Sequence, residues 1–206
     1  MNIKTLKGII DSNTYVLWLD NTCILVEAAA PTEVLQKALN GKKPAAIFLT
    51  HEHFDHVSYI SEYIDAFDCP IYCHPATLEE LRTGEFHQLI EAVSGYTLKL
   101  PKSTQSFRNL SDNQTIVSFP PFVIKAIFAP GHSEGSVVYL INDNLFSGDV
   151  LFRTSIGRTD FMMDGEKRMQ ETLRKLQPVK FNMMYNGHSE PCTYESQQKN
   201  IARHLK

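Results

Sequence analysis

The sequence predicts a layered α/β sandwich, and three observations carry that expectation. Short apolar runs alternate with helix-period segments through the first third of the chain, strand-like runs return from residue 115 onward, and no linker, low-complexity tract or short-period repeat interrupts them. At 206 residues the chain suffices for one domain, residues 1–206, burying roughly 70% of its unfolded surface.

The elements follow in order. "TYVLWL" (14–19) and "CILVEA" (23–28) flank Asp20-Asn21 and read as a hairpin. "PTEVLQKALNG" places Val34, Leu35 and Ala38 on one helical face and stops at Asn40-Gly41, after which "AAIFLT" is a buried strand. "VSYISEYIDAF" has Val57, Ile60, Ile64 and Phe67 at helical spacing, and "CPIYCH" is a short strand. Residues 75–113 read as helical pieces followed by the polar loop "KSTQSFRNLSDNQ". Strands come back as "TIVSF", "FVIKAIFA", "SVVYLI" and "NLFSG". "DGEKRMQETLRKLQP" is a helix capped by Asp164, with Met169, Leu173 and Leu176 on one face and Pro178 beyond its end. The strand "VKFNMMY" and a helix near 194–204 finish the chain.

Composition excludes several functions. A net charge of −3 from 20 basic and 23 acidic residues, with no basic run beyond pairs such as Lys42/Lys43, leaves no footprint for nucleic acid or an anionic membrane. The N-terminus is broken by Lys7, Asp11 and Asp20, so it lacks the core of a signal peptide, and no stretch is long enough to span a bilayer. The expected compartment is the cytoplasm and the expected partner a small molecule. Four cysteines without a Cys-x-x-Cys read as small buried hydrophobes; Cys192 alone is suspect, four residues after His188.

The chemistry concentrates in polar turns that follow apolar strands. "AIFLT" leads to "HEHFDH", "IKAIFAP" to "GHSEGS" with His132, "NLFSG" to Asp149, and "FNMMYN" to "GHSEP" with His188. Ligand crevices of α/β sheets lie beyond strand ends, so four such turns point at one site. His51 and His53 stand two apart on extended chain and can project the same way, while Asp55 and His56 begin a helix and project differently. That stretch can serve two metals about 3.5 to 4 Å apart, with His132 and His188 adding one imidazole to each and Asp149 able to bridge. Two divalent ions carry +4 against −3 from Asp55, Asp149 and one hydroxide, and the remaining charge of about +1 suits an anionic transition state. His74, His87 and His204 lack neighbours at ligand spacing and read as surface or satisfied structural residues. No Gly-x-Ser-x-Gly elbow supports a serine nucleophile.

In that order and spacing, "THEHFDH", "PGHSEGS", "SGDVLF" and "NGHSEP" resemble the metallo-β-lactamase superfamily over nearly the whole chain. Asp149 within "SGDVLFRTSIGRTDF" resembles the bridging aspartate of the glyoxalase II-like (hydroxyacylglutathione hydrolase-like) branch. The resemblance implies a four-layer αββα sandwich with its site at the edge between two sheets. It implies one metal on His51, His53, His132 and Asp149, and another on Asp55, His56, His188 and Asp149. Zinc is the expected metal, with iron or manganese suited to the same donors. Arg158 in "GRTDF" falls where glyoxalase II has a basic residue for the thiol cofactor's carboxylate, and Glu27 in "VEAAAP" stands where many members have an Asp-Pro-Gly turn. The chain ends soon after "YESQQKNIARHLK", which resembles the short bacterial single-domain members rather than glyoxalase II with its helical extension.

The implied reaction is hydrolysis of a small-thiol thioester such as S-lactoylglutathione by a metal-bridging hydroxide, with Asp55 orienting that nucleophile and handling its proton. Two alternatives stand beside it. A persulfide (sulfur) dioxygenase of the same superfamily would bind one iron through His51, His132 and Asp149. A non-catalytic, metal-stabilised binding module would close its sites tetrahedrally, which seven ligands around two ions do not require.

Overall fold

Two six-stranded sheets pack face to face, each backed by helices. The computed structural model describes residues 1–111 and 115–205, so the loop expected at 112–114 lies outside the described residues. The first sheet runs β1 (Asn2–Lys7), β2 (Asn13–Leu19), β3 (Thr22–Val26), β4 (Ile47–Phe48), β5 (Ile71–Cys73) and β6 (Phe107–Asn109), side by side in that order. Its helices are α1 (Thr32–Leu39), α2 (Phe54–Val57), α3 (Ile60–Ala66), α4 (Pro75–Thr83) and α5 (Glu85–Ser94). The second sheet holds β7 (Thr115–Phe119), β8 (Phe122–Phe128), β9 (Val137–Ile141), β10 (Asn144–Gly148), β11 (Met183–Asn186) and β12 (Cys192–Thr193), again in sequence order, with helices α6 (Gly165–Leu176) and α7 (Tyr194–His204). Both sheets are mixed: β1 to β3 are antiparallel and β3 to β6 parallel, while β7 to β10 are antiparallel and β11 joins β10 in parallel.

Alternation along each strand builds the layers. Tyr15 and Leu17 of β2, Ile24 and Val26 of β3 and Phe48 of β4 face Phe122, Ile124 and Ala126 of β8 and Val137, Tyr139 and Ile141 of β9 in the core between the sheets. Val16 and Leu25 point the other way, under Leu35 and Leu39 of α1 and Ile60 and Tyr63 of α3. Val138 and Leu145 likewise meet Met169, Leu173 and Leu176 of α6. Strands buried on both faces read as near-continuous apolar runs, which is why they were visible in the sequence. Asp20 in the β2–β3 loop and Asn142 in the β9–β10 loop take φ of 51° and 50°, a left-handed conformation that Asp and Asn tolerate.

The structure corrects several expectations. β1 has no counterpart in the sequence reading because an edge strand buries little: of "NIKTLK" only Leu6 is fully buried. β6 and β12, of three and two residues, are short edge elements too, β6 lying inside the stretch expected to be loop. The helix expected from Val57 to Phe67 is broken in two. Ser58 Oγ donates to the Phe54 carbonyl at 2.6 Å, and the chain docks on Ala28, whose N–H meets the His56 carbonyl and whose carbonyl takes the Tyr59 N–H. Asp164 stands at the N-cap of α6 but makes no side-chain cap bond. No helix among the described residues is long and apolar enough to cross a membrane.

A side-chain hydrogen bond links the two sheets next to the histidine-rich turn. The Tyr139 hydroxyl donates to the Leu49 carbonyl at 2.8 Å, tying the second sheet to the chain that leaves β4. Tyr139→Phe leaves that buried carbonyl without its hydroxyl partner and is expected to lower unfolding free energy by about 1–2 kcal/mol in urea melts; an unchanged midpoint would mean that packing and the Val137 N–H to Thr50 carbonyl bond at 2.7 Å hold the sheets there without it.

Candidate metal centre

The ends of β4, β8, β10 and β11 deliver His51, His132, Asp149 and His188 to one buried spot, and α2 adds Asp55 and His56 from its first turn. The side-chain donors of His51, His53 and His132 all lie within 4.8 Å of one another, as do those of Asp55, His56 and His188. Asp149 lies between the two groups. One of its oxygens is 3.3 Å from His56 Nε2, and the other is 3.3 Å from His188 Nε2 and 3.7 Å from His132 Nε2. Asp55 Oδ2 is 3.2 Å from His188 Nε2 and 3.5 Å from His56 Nε2. All seven residues named from the sequence are therefore together, with Asp149 within 3.3 to 3.7 Å of a histidine of either group. Glycine makes this approach possible: a Cβ at Gly187 would strike the Asp149 carboxylate and press on the His56 ring.

Hydrogen bonds behind the rings decide which nitrogen each presents. Thr50 Oγ1 donates its one proton to Glu27, so at 3.0 Å it can only accept from His51 Nδ1–H. His132 Nδ1–H donates to the Arg158 carbonyl at 2.9 Å and His188 Nδ1–H to the Ile10 carbonyl at 3.0 Å, since carbonyls only accept. In the neutral ring Nε2 of each is then the nitrogen whose lone pair faces the centre, the arrangement in which metal-bound histidines are held. His56 Nδ1 lies 3.4 Å from Glu27 Oε1 without an aligned hydrogen bond. Glu27 also comes within 4.8 Å of the donors of His51 and His56, but its bonds to the Thr50 hydroxyl and N–H make it the orienting acid.

The state of the donor atoms themselves fits a cation. His51 Nε2 and Asp149 Oδ1 are buried without a hydrogen-bond partner, and His53 Nδ1 faces His132 Nε2 at 2.9 Å, where two lone pairs would repel unless a proton or cation sat between them. Ionisation divides the same way. Burial drives His51, His132 and His53 down, His53 to about 3 with His132 adding to the effect. Burial pushes His56 down too, but Asp149 and Asp55 outweigh it and raise it well above its ordinary value; on His188 the same two carboxylates overcome burial and lift it to about 9. Burial would raise Asp149, yet His56 and His188 hold it well below the usual carboxylate range. The two imidazoles pushed toward the protonated form are thus those beside the carboxylates, where a cation would take the place of their protons.

Several groups to which the sequence reading gave no part in aiming the imidazoles serve the centre. Ile10 and Arg158 contribute backbone carbonyls, Thr50 a hydroxyl and Glu27 a carboxylate; Glu27 had a signal in the sequence as the acid after the second strand, and Arg158 had one for its side chain, not for its carbonyl. Ile10 and Glu27 take φ of 52° and 73°, conformations costing on the order of 1–3 kcal/mol for non-glycine residues. The Arg158 side chain is exposed, forked onto Asp160 at 3.0 and 2.6 Å, and lies over the Phe161 ring. The three remaining histidines are hydrogen-bonded: His74 Nδ1 caps α4, His204 Nδ1 meets the Asn200 carbonyl, and His87 Nε2 donates to the Glu52 carbonyl at 2.8 Å. Cys192 is buried, with its thiol raised first of all by burial, and takes a hydrogen bond from Gln197, so it is a poor nucleophile.

The family model described as the metallo-beta-lactamase superfamily matches residues 8–188. The chain belongs to that superfamily. A member from Bacillus subtilis (strain 168), named "Probable metallo-hydrolase YqgX", is 28% identical over 187 residues, 88% of this chain and 86% of its own. Among solved metallo-β-lactamase-fold structures, that of BLEG-1 B3 metallo-beta-lactamase superposes with a TM-score of 0.78 at 30% identity, covering 96% of each chain. That of TTHA1623 in a di-iron-bound form gives 0.80 at 28% identity, covering 100% of this chain and 98% of the other. The superfamily's αββα layering is the architecture seen here, and its metal-binding character agrees with the two donor groups.

Because Asp149 and Asp55 overcome burial to lift His188 to about 9 and raise His56 as well, a metal binding there at pH 7 would displace protons. Affinity is expected to rise from pH 7 towards 9 by about tenfold per unit for each imidazole that gives up its proton. Chelator competition across that range, paired with calorimetry in buffers of different ionisation enthalpy, measures it; a flat profile would show that no proton leaves.

Proposed function

We propose that the chain is a dinuclear metal-dependent hydrolase acting on small-thiol thioesters such as S-lactoylglutathione. The observation that carries the reading is the pair of donor groups sharing Asp149 beneath an open cavity of about 380 Å³ lined by Asp55, His53, His132 and His188. Similarity to a protein named a metallo-hydrolase supports the same class. His51, His53, His132 and Asp149 would hold one cation, and Asp55, His56, His188 and Asp149 the other. Zinc is the default, and a relative seen in a di-iron form supports iron as the rival. Once bound, the two ions would supply an acidified water and a Lewis acid for the acyl oxygen.

The chain's own groups do the remaining work. Thr50, Glu27 and the Arg158 and Ile10 carbonyls keep the imidazoles aimed, so that no reorganisation is needed during reaction. Asp55, on the cavity wall, orients the attacking water and receives its proton. The carbonyl–sulfur bond breaks, a carbon–oxygen bond forms, and the thiolate leaves and takes up the proton. No oxidant enters this balance, which separates it from the dioxygenase alternative.

Purified protein is expected to hold about two metals per chain by elemental analysis and to release one thiol per turnover from S-D-lactoylglutathione or a related thioester, as fast without oxygen as in air. One tightly held iron with oxygen consumption on a persulfide would establish the dioxygenase instead, and preferential opening of a β-lactam would move the reading toward the activity named for BLEG-1. Asp55→Asn keeps the cavity's shape but removes the proton acceptor, so kcat should fall by about 10²-fold or more with KM changed far less. Equal losses in both would place Asp55 in binding rather than in the chemical step.

A further inference from the structure

The cavity above the donors has an unusual lining for a site that meets a polar metabolite. Phe54, Phe86, Phe152, Phe161, Ile10 and Ile90 are half of the residues that line it. Two aromatic rings stand directly against the metal-facing imidazoles: Phe86 and Phe161 each lie with centroids 5.2 Å from His53, and Phe161 lies 5.7 Å from His132. Whatever carbonyl sits on the donors therefore has an apolar surface within one or two bonds of it.

These rings are not explained by the core. Phe161 is 43% exposed, Ile10 55%, and Tyr96, which packs on Phe54 at 5.3 Å, 46%. Large apolar side chains gathered at a rim mark a binding surface rather than a stabilised interior. Phe161 is also held in place. The Arg158 guanidinium lies 4.6 Å from its centroid and is itself fixed by the two-point fork to Asp160. A pre-positioned ring loses less freedom when a ligand stacks on it.

Charge points the same way. Arg158 is the one Lys or Arg among the described residues lining this cavity, and Asp160 already occupies its fork. The neighbouring cavity of about 450 Å³, which shares His53, Phe86 and Phe161, is lined by Glu52, Glu79, Glu80, Glu85 and Glu134 with no Lys or Arg. A carboxylate-bearing arm finds no unengaged guanidinium or ammonium on either wall.

Resting on the thioester-hydrolase reading, we propose that the preferred substrates are thioesters with a bulky apolar acyl group, aromatic or medium-chain aliphatic, seated on Phe86 and Phe161, in place of a small hydroxyacyl. The acyl side is assigned because common thiol carriers have amides within a few bonds of sulfur, whereas an acyl group can be wholly apolar. Water adds to the acyl carbon, the carbon–sulfur bond breaks, and the products are a lipophilic carboxylate and a free thiol. The carboxylate product then meets apolar walls and the adjoining glutamates, which favours its release. Arg158 is a positioning residue in this scheme, acting through Phe161.

The test uses the metal-loaded full chain and S-acyl derivatives of one thiol, N-acetylcysteamine, carrying acetyl, D-lactoyl, butyryl, hexanoyl and benzoyl groups, with thiol release as the readout. kcat/KM is expected to climb by about fourfold per added methylene along the straight chains, the transfer value of a buried CH₂, and benzoyl should exceed lactoyl by about tenfold or more. Phe161→Ala should cut the benzoyl-to-acetyl ratio about tenfold through KM, and Phe161→Leu should restore part of it. Arg158→Gln should lower the same ratio without altering metal content. Thioesters cleaved with lactoyl preferred, or a benzoyl-to-acetyl ratio unmoved by Phe161→Ala in a protein with unchanged Tm, would overturn this specificity while leaving the hydrolase reading intact. Cleavage of no member by protein carrying two metals would overturn both.

Discussion

Five imidazoles and two carboxylates gathered into two adjoining donor groups, nearly all removed from water, form a cluster that opposes its own assembly. Burial drives His51 down, whereas on His56 burial is outweighed by Asp149 and Asp55, which raise it, although the two ring centroids lie 4.2 Å apart, so neighbouring rings are pushed toward opposite protonation states. Only a rigid frame can impose that company, and the two-sheet sandwich supplies it. Four strands that end at one edge hold the donors in register, while the core between the sheets keeps those edges from drifting apart. The centre is where the fold's stability is spent.

The same logic accounts for the irregular backbone nearby. Ile10 and Glu27 adopt left-handed conformations that ordinary residues avoid, and both lie directly behind an imidazole. Gly187 has no side chain, and none could fit beside Asp149. Strain and missing side chains gather at the site because backbone carbonyls and close approaches do the aiming there. Elsewhere the chain keeps to regular alternation and helical spacing.

This division explains what could be read from the sequence. The central strands were legible because burial on both faces makes them continuous apolar runs, and the four ligand turns because each places His or Asp immediately after such a run. The edge strand of residues 2–7 was not, since a single buried leucine gives no period. The break between Phe54–Val57 and Ile60–Ala66 was hidden because it is caused by docking on Ala28, a contact between distant segments. The partners of His132 and His188 escaped for a different reason. They are peptide carbonyls, and a carbonyl has no residue signature; Arg158 drew attention for its guanidinium while its backbone makes the bond to the metal-facing ring.

The bond from His188 to the Ile10 carbonyl joins positions 178 apart and so closes almost the entire chain into one ring. Lys7, at the end of the first strand, reinforces the closure by donating to the His188 carbonyl at 3.2 Å. Chain termini are where folded proteins fray first. Here fraying has a chemical meaning, for each time the first dozen residues lift away, His188 loses the acceptor that fixes its tautomer and is free to turn its proton toward the centre. The pairing of an edge strand with its neighbour thereby bears on the tautomer of a donor almost a whole chain length away.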